Sequence, residues 1–298
     1  MRFSLRVGRR LLRNRLNHWW MSLWLIAMML MPVIIGGGLV WKSWPLLQGH
    51  SLAHLLGSNV WRPLGGEFGF APFILSSLWV TILALFIAGP VCIFSALHLT
   101  QYAPRSVLRL MQPVIDILAG IPSVIYGVWG ILVIVPFVSN SIAPIVGAET
   151  SGYSILAGSL VLAVMIIPFI LNILIDIFHT IPMELQEASL SLGASRWYTI
   201  KYVIMRKALP GVVSALGLGL SRAFGETIAV LMVVGNVASI PRGMFQPGYP
   251  LPALIANNYG EMLSIPMYDS ALMLAAFILF SIVILFNIAA RLTIIRYE

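Results

Sequence analysis

Two charged residues lie where charge is costly. Arg222 and Glu226 fall near the middle of an apolar stretch, 212–235, long enough to cross a bilayer. A charge at the hydrocarbon centre costs about 2.5–3.5 kcal/mol on insertion scales, so such residues face protein or a polar path rather than lipid. A spacing of four puts both on one helical face, close enough to pair. Two roles are open. The pair neutralises itself or a neighbouring helix, or it lines or gates a path in which a cation at low dielectric favours an anionic solute. The order Arg before Glu is the less stabilising one within a helix, which points away from local stability as their purpose. Beside them run Gly211, Ala215, Gly219 and Ala223, each four from the last. Small residues at that spacing let two membrane helices approach closely.

Other chemistry is thin. A nucleotide-driven motor needs a G-x-x-x-x-G-K-[ST] cradle for phosphates, and none of the three lysines, Lys42, Lys201 and Lys207, follows a glycine. No ATPase is therefore expected in this chain. His50 and His54 are four apart but lack an evident third ligand, so no metal site is expected. His18, His98 and His179 fall near span ends, where an imidazole sits comfortably at the interface. The single cysteine, Cys92, lies inside an apolar run, which leaves no intrachain disulfide and no cysteine-based metal centre. There is no nucleophile–base pairing and no carboxylate pair at helical spacing in the apolar runs. No catalytic residue and no bound cofactor are expected.

The stretch 177–211 is too long and too patterned for a plain connector. Pro182 suits a first helical turn, and Glu184 and Glu187 sit near the positive end of the helix dipole. Leu185, Ala188, Ser189 and Leu192 make a modest apolar or small face, and Gly193 is placed to end the helix. Ser195 is placed to cap a second helix, in which Trp197, Ile200 and Ile204 share a face. Two short helices in front of the charged span fit a docking site for a soluble partner. The pattern equally fits an interfacial helix on lipid, encouraged by Arg196, Lys201, Arg206 and Lys207.

The elements that must position these residues follow from composition. Of 298 residues, 59% are hydrophobic and 9% charged, against roughly 25% charged in soluble domains. The net charge of +8 comes from cations clustered beside apolar runs, which points to membrane topology rather than nucleic acid. A crossing helix needs about 20 mostly apolar residues, and six stretches qualify: 19–40, 72–97, 114–137, 153–176, 212–235 and 268–290. The chain reads as an all-α membrane protein. The third and fifth stretches carry Gly, Pro and polar residues, tolerated only where neighbouring helices or a watery cavity satisfy the freed backbone groups. Arg and Lys crowd the N-terminal tail, the second and fourth loops and the C-terminus, whereas the alternate loops hold only Lys42, Arg62 and Arg242. By the positive-inside rule both termini and the 177–211 loop are cytoplasmic. The basic start resembles a signal peptide, but the apolar run is too long and lacks an A-x-A-like site, so an uncleaved first span is expected. The expected divisions are a basic tail (1–18), a first span with its outer loop (19–71), a main membrane domain (72–290) that includes the 177–211 loop, and a cytoplasmic tail (291–298).

Glu187-Ala188-Ser189 followed by Gly193 resembles the E-A-A-x-x-x-G signature of membrane subunits of bacterial ABC importers. Ser189 stands where a second Ala is usual, and the I-x-L-P end of the signature reads Val203-Ile204-Met205-Arg206. Residues 119–130 (AGIPSVIYGVWG), 222–230 (RAFGETIAV, continuing to Gly235-Asn236) and 255–261 (IANNYGE) resemble the phosphate-import branch, in its PstC-type permeases. The likeness spans about residues 70–298. It implies a type I, MetI-like permease fold with cytoplasmic coupling helices in a bacterial inner membrane. It also implies a homologous PstA-type permease, two ATPase subunits docking at Glu187, Ala188 and Gly193, and an extracytoplasmic binding protein that delivers phosphate. Arg222 and Glu226 fall on charged pathway positions in that family. A permease for sulfate, molybdate or tungstate is the nearest alternative, and a phosphate-sensing membrane subunit a more distant one. An enzyme acting on lipid phosphates would want an Arg too, but the chain lacks a nucleophile or base for it.

Overall fold

The computed structural model describes residues 2–260, 265 and 267–295. Glu261 and Arg296, used in the sequence reading, lie outside the described residues. Among the described residues six helices are long and apolar enough to cross a membrane. Spans 1 to 6 are Asn14–Gly49, Ala71–Tyr102, Ser123–Val146, Ile155–His179, Arg196–Phe224 and Tyr268–Leu292. The side bearing the 177–211 loop is called the basic side below. Opposite it lie a short helix, Leu52–Gly57, and an antiparallel hairpin pairing Trp61 with Phe68 and Arg62 with Glu67.

Spans 2, 4 and 5 form the main core. Span 2 places Ala84, Ala88, Cys92 and Ala96, four apart and fully buried, against span 4. This is the small-residue device expected of span 5, present in a helix where it was not anticipated. Cys92 Sγ donates to the Ile167 carbonyl of span 4 at 3.5 Å. In span 5 a methyl added to Gly211 would sit 2.6 Å from Ile177, and one added to Gly219 would sit 2.4 Å from Ile170. Two turns of span 4 therefore press on the small stripe as expected. A second cluster on the side opposite the basic one joins Leu46, Phe68, Phe70, Phe73 and Tyr268 around the Trp61 ring. It fastens span 1 to span 6, where Gly36 meets Phe280.

Spans 3 and 5 depart most from the sequence expectation, each at both ends. Residues 105–120 form a separate amphipathic helix on the basic side, and span 3 begins only at Ser123. Pro122 is the cause: it has no N–H to offer the Leu118 carbonyl and forces Ile121 into an extended conformation (ψ 128°). The Tyr126 hydroxyl, one turn into span 3, donates to that carbonyl at 2.8 Å and closes the elbow. Span 5 is also shifted. It starts at Arg196, runs through a wide turn at Ile200–Ile204, and stops at Phe224 rather than continuing to 235. The second helix of the 177–211 loop is therefore the beginning of span 5 and not a free short helix. Span 6 continues as helix to Ile295, into the expected tail.

Candidate functional site

The break in span 5 defines the site. After Phe224 the Gly225 and Glu226 amides turn back onto the Arg222 and Ala223 carbonyls at 3.1 and 3.2 Å, and a new four-residue helix runs Ile228–Leu231. The shared helical face expected of Arg222 and Glu226 is lost because the helix on which it depended ends between them. Among the described residues no ion pair joins the two. The Arg222 guanidinium lies 4.8 Å from the centroid of the Phe169 ring of span 4, and one Glu226 carboxylate oxygen accepts from the Ala229 amide at 3.2 Å. Each charge thus sits at a helix end of complementary sign. The cation is in the last turn of span 5, where carbonyls point outward, and the anion lies just ahead of the first turn of 228–231, where amides do.

Depth follows from span 4. Phe169 is 14 residues after Ile155 and 10 before His179, or about 21 Å and 15 Å from the two ends at roughly 1.5 Å per residue. Arg222 is therefore close to mid-membrane, and it is exposed in the chain. Glu226 borders a narrow cavity with Ser77, Thr81, Leu162 and Pro250.

The glycines of span 3 are the seat of the short helix. A methyl on Gly127 would lie 2.5 Å from Met232 Sδ and 3.3 Å from Ala229 Cα, and one on Gly130 would lie 2.7 Å from Val161 and 2.8 Å from Val233. Absence of side chains lets the 228–233 segment lie flat on span 3. Its far end is tied by Asn236, whose side-chain amide donates to the Leu231 carbonyl at 2.8 Å from a left-handed backbone (φ 54°). Asn236 was quoted in the sequence only as part of a motif. Asn is one of the few non-glycine residues that tolerate that conformation, which is the signal the sequence offered. With Ser151, Tyr153, Gly235 and Pro247, Asn236 lines a pocket of about 340 Å³ on the side opposite the basic one.

The 177–211 loop is built largely as its residues predict. Pro182 precedes a helix at Met183–Ser191, Glu184 is in its first turn, and Gly193 leaves it at φ +83°. The Ser195 hydroxyl caps the following helix by accepting from the Tyr198 amide at 3.2 Å. Ser189 reaches the buried Thr199, the two hydroxyls 2.9 Å apart, so the departure from Ala fastens the two helices together. Glu187, Ala188 and Gly193 are exposed. So are Met183, Trp197 and Tyr198, and Leu192 is 88% exposed. Of the shared face expected for Trp197, Ile200 and Ile204, only the two isoleucines are buried. Leu192, Gly193, Ala194, Ser195 and Tyr198 border a concavity.

The structure is thus a multi-pass membrane protein with a charge at the break of one span and a loop with exposed apolar residues projecting on its basic side. Residues 88–294 match the family model described as binding-protein-dependent transport system inner membrane component, and the chain belongs to that family. It is 41% identical over 218 residues to a probable ABC transporter permease protein, YqgH, of Bacillus subtilis, covering 72% of this chain and 69% of that protein. It is 34% identical over 288 residues to the phosphate transport system permease protein PstC of Haemophilus influenzae, covering 92% and 89%. Among solved structures, a chain of an inward-facing MetNI methionine ABC transporter superposes with a TM-score of 0.54 at 22% identity, over 76% of this chain and 96% of that one. A chain of a bacterial alginate importer gives 0.59 at 17% identity, over 92% and 96%. These last two establish the type I importer permease fold. The chain is a multi-pass permease subunit of an ABC importer, and its homologues are transport permeases rather than enzymes.

Proposed function

We propose that this chain forms half of the translocation pathway of an ATP-driven phosphate importer in a bacterial inner membrane, with a homologous PstA-type permease as the other half. The observation that carries the reading is Arg222, a mid-membrane cation exposed at a helix break and held by an aromatic ring rather than by a carboxylate. A guanidinium at low dielectric with no anionic partner among the described residues is suited to an oxyanion, which it can bind through two N–H groups at once. The name of the PstC relatives gives phosphate as the member of that class. Glu226 acts beside it without cancelling it, by holding the first turn of the short helix that forms the far wall of the break. Gating then consists of moving the 226–236 segment over the glycine seat of span 3, rather than of parting an Arg–Glu pair.

The termini and the 177–211 loop face the cytoplasm, following the positive charge. Glu187, Ala188 and Gly193 dock into one of two ATPase subunits, which carry ATP and Mg. The opposite side receives phosphate from an extracytoplasmic binding protein. Exposed Leu192 and Tyr198 at the concavity, with exposed Trp197 beside Tyr198 in sequence, favour a protein partner over lipid, since a lipid-facing helix presents a convex apolar face.

Uptake of labelled phosphate in cells lacking this chain tests the reading. Wild type should restore uptake, unaffected by excess sulfate or molybdate. Arg222→Ala should not, although the complex still assembles. Normal uptake by Arg222→Ala removes Arg222 from the pathway, and competition by another oxyanion keeps the permease but changes its substrate.

A further inference from the structure

The coupling loop is joined to the far side of the molecule by a second route besides span 5. Arg196 stands at the start of span 5, immediately after the Ser195 cap. Its guanidinium crosses to the end of span 2, donating to the Gln101 carbonyl and lying 4.9 Å from the centroid of the Tyr102 ring. Span 2 closes there in a wide turn, His98–Tyr102, with the Ala103 amide reaching back five residues to the His98 carbonyl at 2.9 Å. Tyr102 is steadied by stacking on His98 at 6.1 Å. The last carbonyls of a helix have no partner within it and carry its negative end, so a planar cation that takes one carbonyl and covers the next ring is a strong fastening.

The other end of span 2 is fastened as firmly. Buried Ser76 and Ser77 accept from the Tyr249 and Leu251 amides at 3.1 and 2.8 Å, holding the segment that follows the short helix. One turn further, Thr81 borders the cavity beside Glu226. From Ser77 to Gln101 is 24 residues, about 36 Å of helix at roughly 1.5 Å each.

We propose that Arg196 is a positioning residue for coupling: it clamps the docking loop to span 2, so that movement of the loop is delivered through span 2 to residues 249–251, which close over the charged break. This rests on the 177–211 loop being the ATPase docking site. Neither Glu187 nor Gly193 makes such a contact with span 2, so docking and transmission fall to different residues of one loop.

The test uses the whole importer, with phosphate as the transported probe, and measures phosphate carried per ATP hydrolysed together with co-purification of the ATPase. Arg196→Ala should assemble and hydrolyse ATP, with phosphate per ATP reduced roughly two- to thirtyfold, the range for residues along a coupling route. Arg196→Lys should fall between, because an ammonium can reach the carbonyl or the ring but does not span both. Tyr102→Leu leaves Arg196 on the docking side and should lower the ratio as well. An unchanged ratio in Arg196→Ala overturns the proposal, as does loss of assembly there with normal coupling in Tyr102→Leu. A wild-type complex that never couples ATP to phosphate import removes the functional reading first, and this inference with it.

Discussion

Neutralising Glu226 distinguishes the two ways its charge could be held. In an ion pair with Arg222 inside the membrane, removing either partner would strand the other and cost about 3–5 kcal/mol. In the structure the carboxylate instead accepts from the Ala229 amide, while Arg222 rests on Phe169. Glu226→Gln keeps an acceptor oxygen for that amide and removes only the charge, so the expected loss is under about 1 kcal/mol. Glu226→Ala removes the cap as well, for about 0.5–2 kcal/mol. Thermal unfolding of the purified permease resolves these cases, since 1 kcal/mol shifts the midpoint by about 2–4 °C in chains of 150–250 residues. The decisive form is a double-mutant cycle of Arg222→Gln with Glu226→Gln. Residues in direct contact couple by about 0.5–3 kcal/mol, and with no ion pair joining the two among the described residues a coupling at or below the low end of that range is expected. A coupling of about 2 kcal/mol or more, or a Glu226→Gln variant as damaged as a stranded buried charge predicts, would refute the separate anchoring of the two residues.

Four further outcomes follow from the packing and the loop. Gly219→Ala drives a methyl to 2.4 Å from Ile170 and should cost about 1–3 kcal/mol, read as a lower melting point. Gly37→Ala meets nothing within 4 Å and should be neutral or slightly stabilising in the same assay. Tyr126→Phe takes away the shorter of two bonds to the Leu118 carbonyl at the Pro122 elbow, leaving the Ile121 amide at 3.4 Å, and should cost about 0.5–1.5 kcal/mol. Pro122→Ala restores a backbone N–H at that position and should soften the loss in the double variant, so strict additivity would count against this account of the elbow. Glu187→Lys should reduce ATPase co-purification or leave ATP hydrolysis without transport, and unimpaired transport would remove Glu187 from the docking surface.

Much of the molecule could be read along the chain because its signals are local or periodic. The apolar lengths required six spans, and the described residues contain six helices long and apolar enough to cross. The four-residue stripe of span 5 meets Ile170 and Ile177 as a close-packing face should. Pro182, Gly193 and Ser195 act where capping chemistry places them. The stripe Ala84, Ala88, Cys92 and Ala96 obeys the same spacing rule and was legible, although its small residues are masked by the larger apolar ones between them.

The boundaries of spans 3 and 5 were not legible, and they decide the site. Hydropathy averages over a window, so it ran through Pro122 at one end and Gly225 at the other without registering that each stops a helix. Composition, period and capping residues thus determined a six-span membrane chain with a projecting loop and a mid-membrane Arg, and the resemblance carried by residues 119–130, 187–193 and 222–230 supplied the permease. Only the tertiary structure decided that Arg222 and Glu226 do not pair. A break after Phe224 is stable because Gly127 and Gly130 of span 3 leave room for the short helix, because Asn236 ties its far end, and because Phe169 of span 4 receives the guanidinium. Those partners lie tens of residues away in sequence, and the free energy that chooses a broken helix over a continuous one is supplied by contacts that exist only once the spans have come together.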